Sequence, residues 1–267
     1  MVLVPLRKRR RCDVIDFLKY DFGYTWYIGY GLAIPLAFAA SVVGLALQHA
    51  WPRWVTGIAA IVSIWALAGL FFINIAWGIN KPMELPTTRF LASGSGRVLD
   101  AGAGSGRAAI GVLLARPRTT VTGLDLYAGY YGIDDNTPER FMKNARTAGV
   151  ADCADTRTGD MRDLPFHDDE FDAVVSSYAI DHLRRDDLVK GLGEVARVLK
   201  PRGEFLVLIV NPDWLTWTFA PPIAHHPRPN PARWRSLLEQ SGLAVVEEGV
   251  KPATMYFLAQ KRAVNQS

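Results

Sequence analysis

Residues 98–107, Val-Leu-Asp-Ala-Gly-Ala-Gly-Ser-Gly-Arg, constrain most of what this 267-residue chain can become. An apolar run ends in an acid, three glycines follow at alternate positions, and a helix-forming run (Ala108–Ala115) begins at once. The stretch reads as strand, tight turn and helix. Glycine carries no Cβ, so the backbone can pass close to a bound group. The helix start turns its free N–H groups and positive dipole end toward the same place. The glycines stand at 102, 104 and 106, and position 107 is Arg. That spacing does not fit the G-x-G-x-x-G of a dinucleotide loop, and no Gly-Lys-Ser/Thr follows as in a P-loop. A strand-to-helix turn whose glycines serve packing alone stays open at this point.

The N-terminal third is composed differently. No Asp, Glu, Lys or Arg occurs from Thr25 to Gln48 or from Trp54 to Asn80. Ile28–Leu47 and Trp54–Ile79 are each long enough to cross a hydrocarbon core. Trp51-Pro52-Arg53 between them predicts a tight antiparallel transmembrane hairpin within residues 25–80. Trp26, Tyr27, Trp51, Trp54 and Trp77 sit where interfacial aromatic belts would lie. Small residues at four-residue spacing (Ala33, Ala37, Ser41; Ala59, Ser63) permit close helix approach. A buried, soluble hairpin is the competing reading.

Charge sets the expected orientation. Arg7–Arg11 precede the first span, Lys81 and Arg89 follow the second, and Arg53 alone lies in the turn. The bias of basic residues places both termini on the cytoplasmic side of an integral membrane protein, expected in the cell inner membrane. Placed ahead of apolar spans, the basic run reads as topology and not as a nucleic-acid site. Residues 1–24 form a basic N-terminal segment, with 13–20 a candidate interfacial helix. The first apolar run starts too late and is too long for a cleaved signal peptide. Residues 81–96, with Pro82, Pro86 and alternating Ser and Gly at their end, read as a linker to a domain over 97–267. Cys12 and Cys153 form no paired motif, so neither a disulfide framework nor a cysteine zinc site is expected, and no metal-ligand spacing is found.

Along that domain, strands are expected at 97–101, 119–124, 156–158, 173–176 and 204–210. Helices are expected at 106–115, 137–148, 187–199 and 230–241, and two further strands at 244–248 and 254–260. Thr137 as N-cap, Pro138 and the closing Gly149 mark one helix clearly. The alternation predicts an α/β, doubly wound parallel sheet that binds ligand at the strands' carboxyl ends. Asp125 ends the second strand and can accept both hydroxyls of a ribose. A long loop with three tyrosines, Tyr127–Asn136, follows it.

Four blocks then combine. Asp100 with Gly102, Gly104 and Gly106 is the first, and Gly159-Asp160 with Leu164-Pro165-Phe166 is the second. Phe171-Asp172-x-Val174 is the third, and Gly191-x-x-Glu194-Val195-x-Arg197-Val198-Leu199-Lys200-Pro201-x-Gly203 is the fourth. Over residues 96–210 they resemble the UbiE-like (type 11) branch of class I S-adenosylmethionine (SAM) dependent methyltransferases. The resemblance implies a Rossmann-like sheet of five parallel strands plus a terminal antiparallel pair, with SAM as cofactor. It implies that Asp100 orients the methionine amino group beside Gly102, Gly104 and Gly106, and that Asp125 and Leu126 contact the cofactor next. Asp160 would bind the adenine amino group, Met161 would lie against the ring, and Ser176 and Tyr178 would line the site.

Methyl transfer from a sulfonium is an in-line displacement, so the protein chiefly orients the acceptor and excludes water. A phenol, enol or ammonium acceptor must also lose a proton. Candidates to take it are His182, oriented by Asp181, and His225 and His226 in a proline-rich loop after Trp214 and Trp217. Those tryptophans shape a lid or dip into a membrane interface. The expectation is a membrane-anchored methyltransferase whose partners are the bilayer and a hydrophobic small molecule, such as a quinone or lipid headgroup. A non-catalytic, SAM-binding membrane scaffold or sensor is the competing reading.

Overall fold

A computed structural model of the chain describes residues 19–24, 33–50, 52–128, 133–184, 186–220 and 226–263. The Arg7–Arg11 run, Trp26, Tyr27, residues 28–32 of the first apolar stretch, Trp51, Tyr130, Tyr131 and His225 lie outside the described residues.

Short apolar strands alternating with helices build a seven-stranded sheet. Strands β1 (Ser95–Ala101), β2 (Arg118–Asp125), β3 (Ala154–Thr158), β4 (Phe171–Ser177) and β5 (Leu199–Val210) run parallel. Strands β6 (Leu243–Lys251) and β7 (Thr254–Lys261) form an antiparallel pair, and β7 pairs antiparallel with β5. The order is β3-β2-β1-β4-β5-β7-β6, so the winding reverses between β1 and β4. Ligands of open α/β sheets bind at such a switch point.

Both faces are covered, which is why the central strands are apolar on both sides. On one face, helices α5 (Asp186–Val198) and α7 (Pro231–Gln240) bring Leu188, Leu192, Val195 and Leu238 onto Leu99, Val174 and Val207. On the other, α3 (Arg107–Ala115) and α4 (Pro138–Ala148) bring Ala109, Val112 and Phe141 onto Val98, Val121 and Val175. Helix α4 is capped as its sequence predicts: Thr137 Oγ1 accepts the Arg140 N–H at 3.2 Å, and Gly149 closes the helix at φ 71°.

The stretch 81–96 is packed into the domain instead of linking to it. Met83, Phe90 and Leu91 are buried against the α3 face. Arg116 donates to the carbonyls of Phe90 (2.8 Å) and Thr88 (2.9 Å), and the Leu91 N–H donates to Glu204 at 2.7 Å. Prolines kept the segment extended, and long basic side chains took its carbonyls.

Upstream, α1 (Ala33–Leu47) and α2 (Arg53–Phe71) pair antiparallel through their small residues. Ser63 Oγ donates to the Ala37 carbonyl at 3.2 Å and lies 3.3 Å from Ser41 Oγ. Large side chains face outward, among them Phe38 (70% exposed) and Ile61 (67%). Arg53–Ile75, at 23 residues, is the one described helix long and apolar enough to cross a membrane. The described part of α1 has 15 residues, short of the roughly 20 a span needs. The two expected spans therefore reduce to one among the described residues.

Helix α2 ends in a π-helical turn, Phe72–Ala76, whose Phe72, Ile73 and Asn74 are buried in the domain. Phe72 and Ile73 pack with Ile79, Val210 and Ala220. Residues 20–24 also belong to the core, in an extended strap; residues 13–18 of the candidate interfacial helix lie outside the described residues. Phe22 is fully buried against Ile110, Ala145 and Ala148, and Asn144 accepts from and donates to the Asp21 backbone.

Candidate functional site

The site grows from the end of β1. Asp100 is fully buried; its Oδ2 accepts the Ala109 N–H of α3 at 2.8 Å, while Oδ1 has no partner. Burial pushes its carboxyl up to about 7, the Ala109 N–H opposing and the nearby Asp125 charge adding. The turn that follows is held by β2: the Gly102 and Ala103 N–H groups both donate to the Leu124 carbonyl. Gly102 takes φ 81°, and a Cβ there would collide with Ala179 and stand 2.9 Å from Met161 Cε. Gly106 starts α3 at φ 89° with the Phe141 ring 2.8 Å from where a Cβ would be. Met161 thus reaches the glycine turn.

Asp125 closes the turn from β2. Its carboxylate accepts the Gly104 N–H (2.9 Å), the Tyr127 N–H (2.9 Å) and the Asn136 side-chain amide (3.1 Å). Leu126 beside it is exposed. Asn136, at the end of the long loop, was not singled out from sequence; its Oδ1 is buried without a partner.

Two expected contacts are engaged within the chain. Asp160 is gripped by Arg162, with three guanidinium contacts of 2.7–3.0 Å plus the Arg162 N–H, and this pair holds its carboxyl below the usual range. Arg162 also reaches Asp187 at 3.1 Å. The Asp160 side chain stays 28% exposed, so an adenine amino group there would share the carboxylate with Arg162. Ser176 is buried; it donates to the Ala101 carbonyl (2.8 Å) and accepts the Ile180 N–H (3.3 Å). It ties β1 to β4 where the strands part, instead of lining a pocket.

Tyr178 follows β4 at φ 54°, its N–H bonded to Leu208 and its hydroxyl 2.5 Å from Thr254 Oγ1. Next comes a 3-10 turn, Ile180–His182. Asp181 Oδ2 accepts the Val210 N–H at 3.2 Å, and Oδ1 is buried without a partner. Burial raises this carboxyl; His182 opposes. The His182 ring, on an exposed residue, meets His226 edge-on at 5.5 Å. The fold thus brings Asp181, His182 and His226 together from two loops.

Sequence reasoning also missed Tyr24. The strap carrying it crosses the glycine turn: the Phe22 carbonyl accepts Ser105 Oγ at 2.7 Å, and Tyr24 bridges to Ile133. Tyr24 packs with the π-turn, and its phenol is raised by burial, with Arg107, Tyr178 and Asp100 the charges facing it. The alternation Tyr20, Phe22, Tyr24 is a strand-like signal that the sequence analysis did not use. Arg107, which excluded a dinucleotide loop, donates to the carbonyls of Lys81 (2.9 Å) and Gly78 (3.2 Å). It clamps α3 to the chain leaving the π-turn.

Among the described residues, the buried side-chain atoms without a partner are Asp100 Oδ1, Asn136 Oδ1 and Asp181 Oδ1. All are acceptors at the carboxyl end of the sheet. Leaving each unpaired costs about 1–3 kcal/mol, so this end of the sheet suits a ligand rich in donors and positive charge.

Residues 98–203 match a family model described as a methyltransferase domain. The chain is 31% identical over 197 residues to an uncharacterized methyltransferase of Synechocystis sp., covering 70% of this chain and 84% of that one. It is 32% identical over 136 residues to a ubiquinone/menaquinone biosynthesis C-methyltransferase of Syntrophotalea carbinolica. That match covers 50% of this chain and 52% of the relative, so the chain spans about half the length of such C-methyltransferases. In solved structures, a SAM-dependent methyltransferase of Methanosarcina mazei shares the fold at TM-score 0.53 and 19% identity, covering 68% of this chain and all of that one.

Proposed function

The chain belongs to the SAM-dependent methyltransferases, and from that premise we propose that it methylates a hydrophobic, membrane-associated small molecule. SAM, the cofactor of this family, supplies a methyl group on a sulfonium, open to in-line displacement. Asp100 Oδ1 receives the ammonium of its methionine part. Asp125 and Asn136 take the ribose hydroxyls, and Met161 lies against the adenine. Tyr24 and Tyr178 keep water from the reacting atoms, which strengthens every charge interaction inside. On the acceptor side Asp181 orients His182, and His182 with His226 takes the proton that a phenol or enol must lose. The observation that carries this reading is the pair of buried, unpartnered oxygens at the glycine turn, Asp100 Oδ1 and Asn136 Oδ1, with a third, Asp181 Oδ1, beside the histidines.

Anchoring is part of the proposal. It is supported by the apolar outer faces of α1 and α2 and by their lack of acidic or basic side chains apart from Arg53. The distribution of basic residues favours a cytoplasmic sheet domain at the inner membrane. An isoprenoid quinone or a lipid headgroup is the acceptor class this suggests, and quinone methylation is what the C-methyltransferase relatives are named for.

Incubating the full chain with radiolabelled SAM and extracted membrane lipids tests the reading. A labelled, extractable product that Asp100→Ala abolishes is expected. SAM binding without product from any lipid or small-molecule pool would instead support a scaffold or sensor.

A further inference from the structure

Helix α6 (Trp214–Phe219) is too short to have a core of its own, yet it carries two of the largest exposed side chains among the described residues. Trp214 is 69% exposed and Trp217 58%. No residue of Trp214–Phe219 is charged. The acid at its start is fully used: Asp213 accepts from the Thr216 N–H (2.8 Å), Thr216 Oγ1 (2.7 Å) and the Ala253 N–H (3.2 Å).

Its opposite side is fixed to the apolar helix. Trp65 Nε1 of α2 donates to the Thr218 carbonyl at 2.7 Å. Added to Gly69, a Cβ would stand 3.2 Å from the Phe219 carbonyl oxygen, and the Phe72 and Phe219 rings lie 5.7 Å apart. So α6 lies along α2 at the level of residues 65–72.

That level decides what faces the tryptophans. Phe72 and Ile73 are buried in the domain, so the length of α2 open to lipid is Arg53–Phe71, 19 residues or about 29 Å at 1.5 Å per residue, close to a core of about 30 Å. The part beyond Trp65, residues 53–64, supplies only about 18 Å. If α2 crosses the bilayer, the turns beside α6 must complete the crossing. If the pair is only embedded from one side, α6 sits where it leaves the lipid.

We propose that α6 is a second membrane contact, seated in the headgroup–acyl boundary of a lipid bilayer through Trp214 and Trp217. Indole rings prefer that boundary, apolar on one side and wet on the other. The placement rests on the reading of α1 and α2 as membrane-embedded. It also deepens that reading, because α6 directly follows β5. Val210, at the end of β5, is bonded to Asp181, and Val210 and Ala220 pack on the π-turn. The acceptor side of the cleft then lies one short helix from the lipid, and a hydrophobic acceptor reaches Asp181, His182 and His226 from the bilayer instead of through water.

The test is spin-label accessibility on the full chain in phosphatidylethanolamine–phosphatidylglycerol vesicles, with Cys12 and Cys153 replaced by serine. Single cysteines are placed by Trp217→Cys, Trp214→Cys, Ile61→Cys on α2 and Asp155→Cys on β3, and retained SAM binding reports the fold. The ratio of oxygen to nickel-chelate collisions at 217 and 214 is expected to exceed that at 155 by roughly threefold and to fall below that at 61. A ratio at both 214 and 217 equal to that at 155, with 61 in lipid, overturns the α6 contact and leaves the anchor standing. A water-like ratio at 61 as well overturns the anchor and the contact together.

Discussion

Around the end of β1, the turn is made by Asp100–Ala109, one strand-turn-helix of ten residues, with Asp125 and Asn136 completing it. Around the ends of β4 and β5, the surrounding groups come from Tyr24 and from residues 72–80, 178–182, 214–220 and 226. The cofactor half is a local device on rigid elements. The acceptor half is a meeting of remote segments, two of them contributed by the apolar N-terminal third. Within one fold, the first half suits a common cofactor, and the second is free to fit a particular acceptor and to couple it to helices α1 and α2.

Phe22→Ala should break that contrast most sharply. If the strap is core, as its full burial states, thermal or urea unfolding will show a loss of about 3–5 kcal/mol. A loss near zero would make residues 20–24 an appendage and the glycine turn independent of them. Deleting residues 1–80 should for the same reason fail to give a stable domain, because it removes Phe22, Phe72, Ile73 and Ile79 from the core.

In the cofactor half, Gly106→Val combines a left-handed backbone with a ring 2.8 Å from the new Cβ. It should cost about 3 kcal/mol in unfolding free energy. An unchanged melting curve would show that the turn adapts.

This contrast also explains what could be read in advance. The glycine turn, the caps of α4 and the five parallel strands are written in residues a few positions apart, so spacing and turn chemistry reveal them. Boundaries slipped where local signals competed. Pro201 and Gly203 pointed to a strand beginning at 204, yet β5 begins at Leu199, with a register irregularity against β4. The strap was hidden for a different reason: the Phe22 carbonyl finds its partner 83 residues away, at Ser105. Asp160 and Ser176 were identified by resemblance as ligand contacts, but a neighbouring arginine and a strand carbonyl claim them. The histidine cluster was legible as residue types and not as geometry, since His182 and His226 come from different loops.

A smaller effect probes Asp100. Its carboxyl is raised to about 7 by burial, so between about pH 4 and 7 the folded chain holds a proton that the unfolded chain has lost. This group's contribution to stability is therefore most favourable below about pH 4 and is lost as the pH rises through about 7. Binding an ammonium draws the group toward its charged form and releases the proton. SAM affinity measured by calorimetry should rise by up to about tenfold per pH unit on approaching pH 7 and then level. Asp100→Asn should weaken binding at pH 8 by about 1–3 kcal/mol and flatten the profile. An unaltered profile would remove Asp100 from the ammonium site.

The smallest effect sharpens the comparison at its border. Arg162 sits between the halves, holding Asp160 on one side and Asp187 of α5 on the other. Both ion pairs are partly exposed, and such pairs contribute little to stability. Arg162→Met should therefore leave the unfolding midpoint nearly unchanged while releasing the Asp160 carboxylate. If that carboxylate is the adenine contact its position in the family motif implies, SAM binding should tighten by about two- to fivefold, the cost of competing with Arg162 having been removed. If binding weakens instead, the arginine is what aims Asp160, and the adenine end of the cleft depends on α5 through Asp187. The cofactor half would then be less local than the turn at Gly102–Gly106 makes it look.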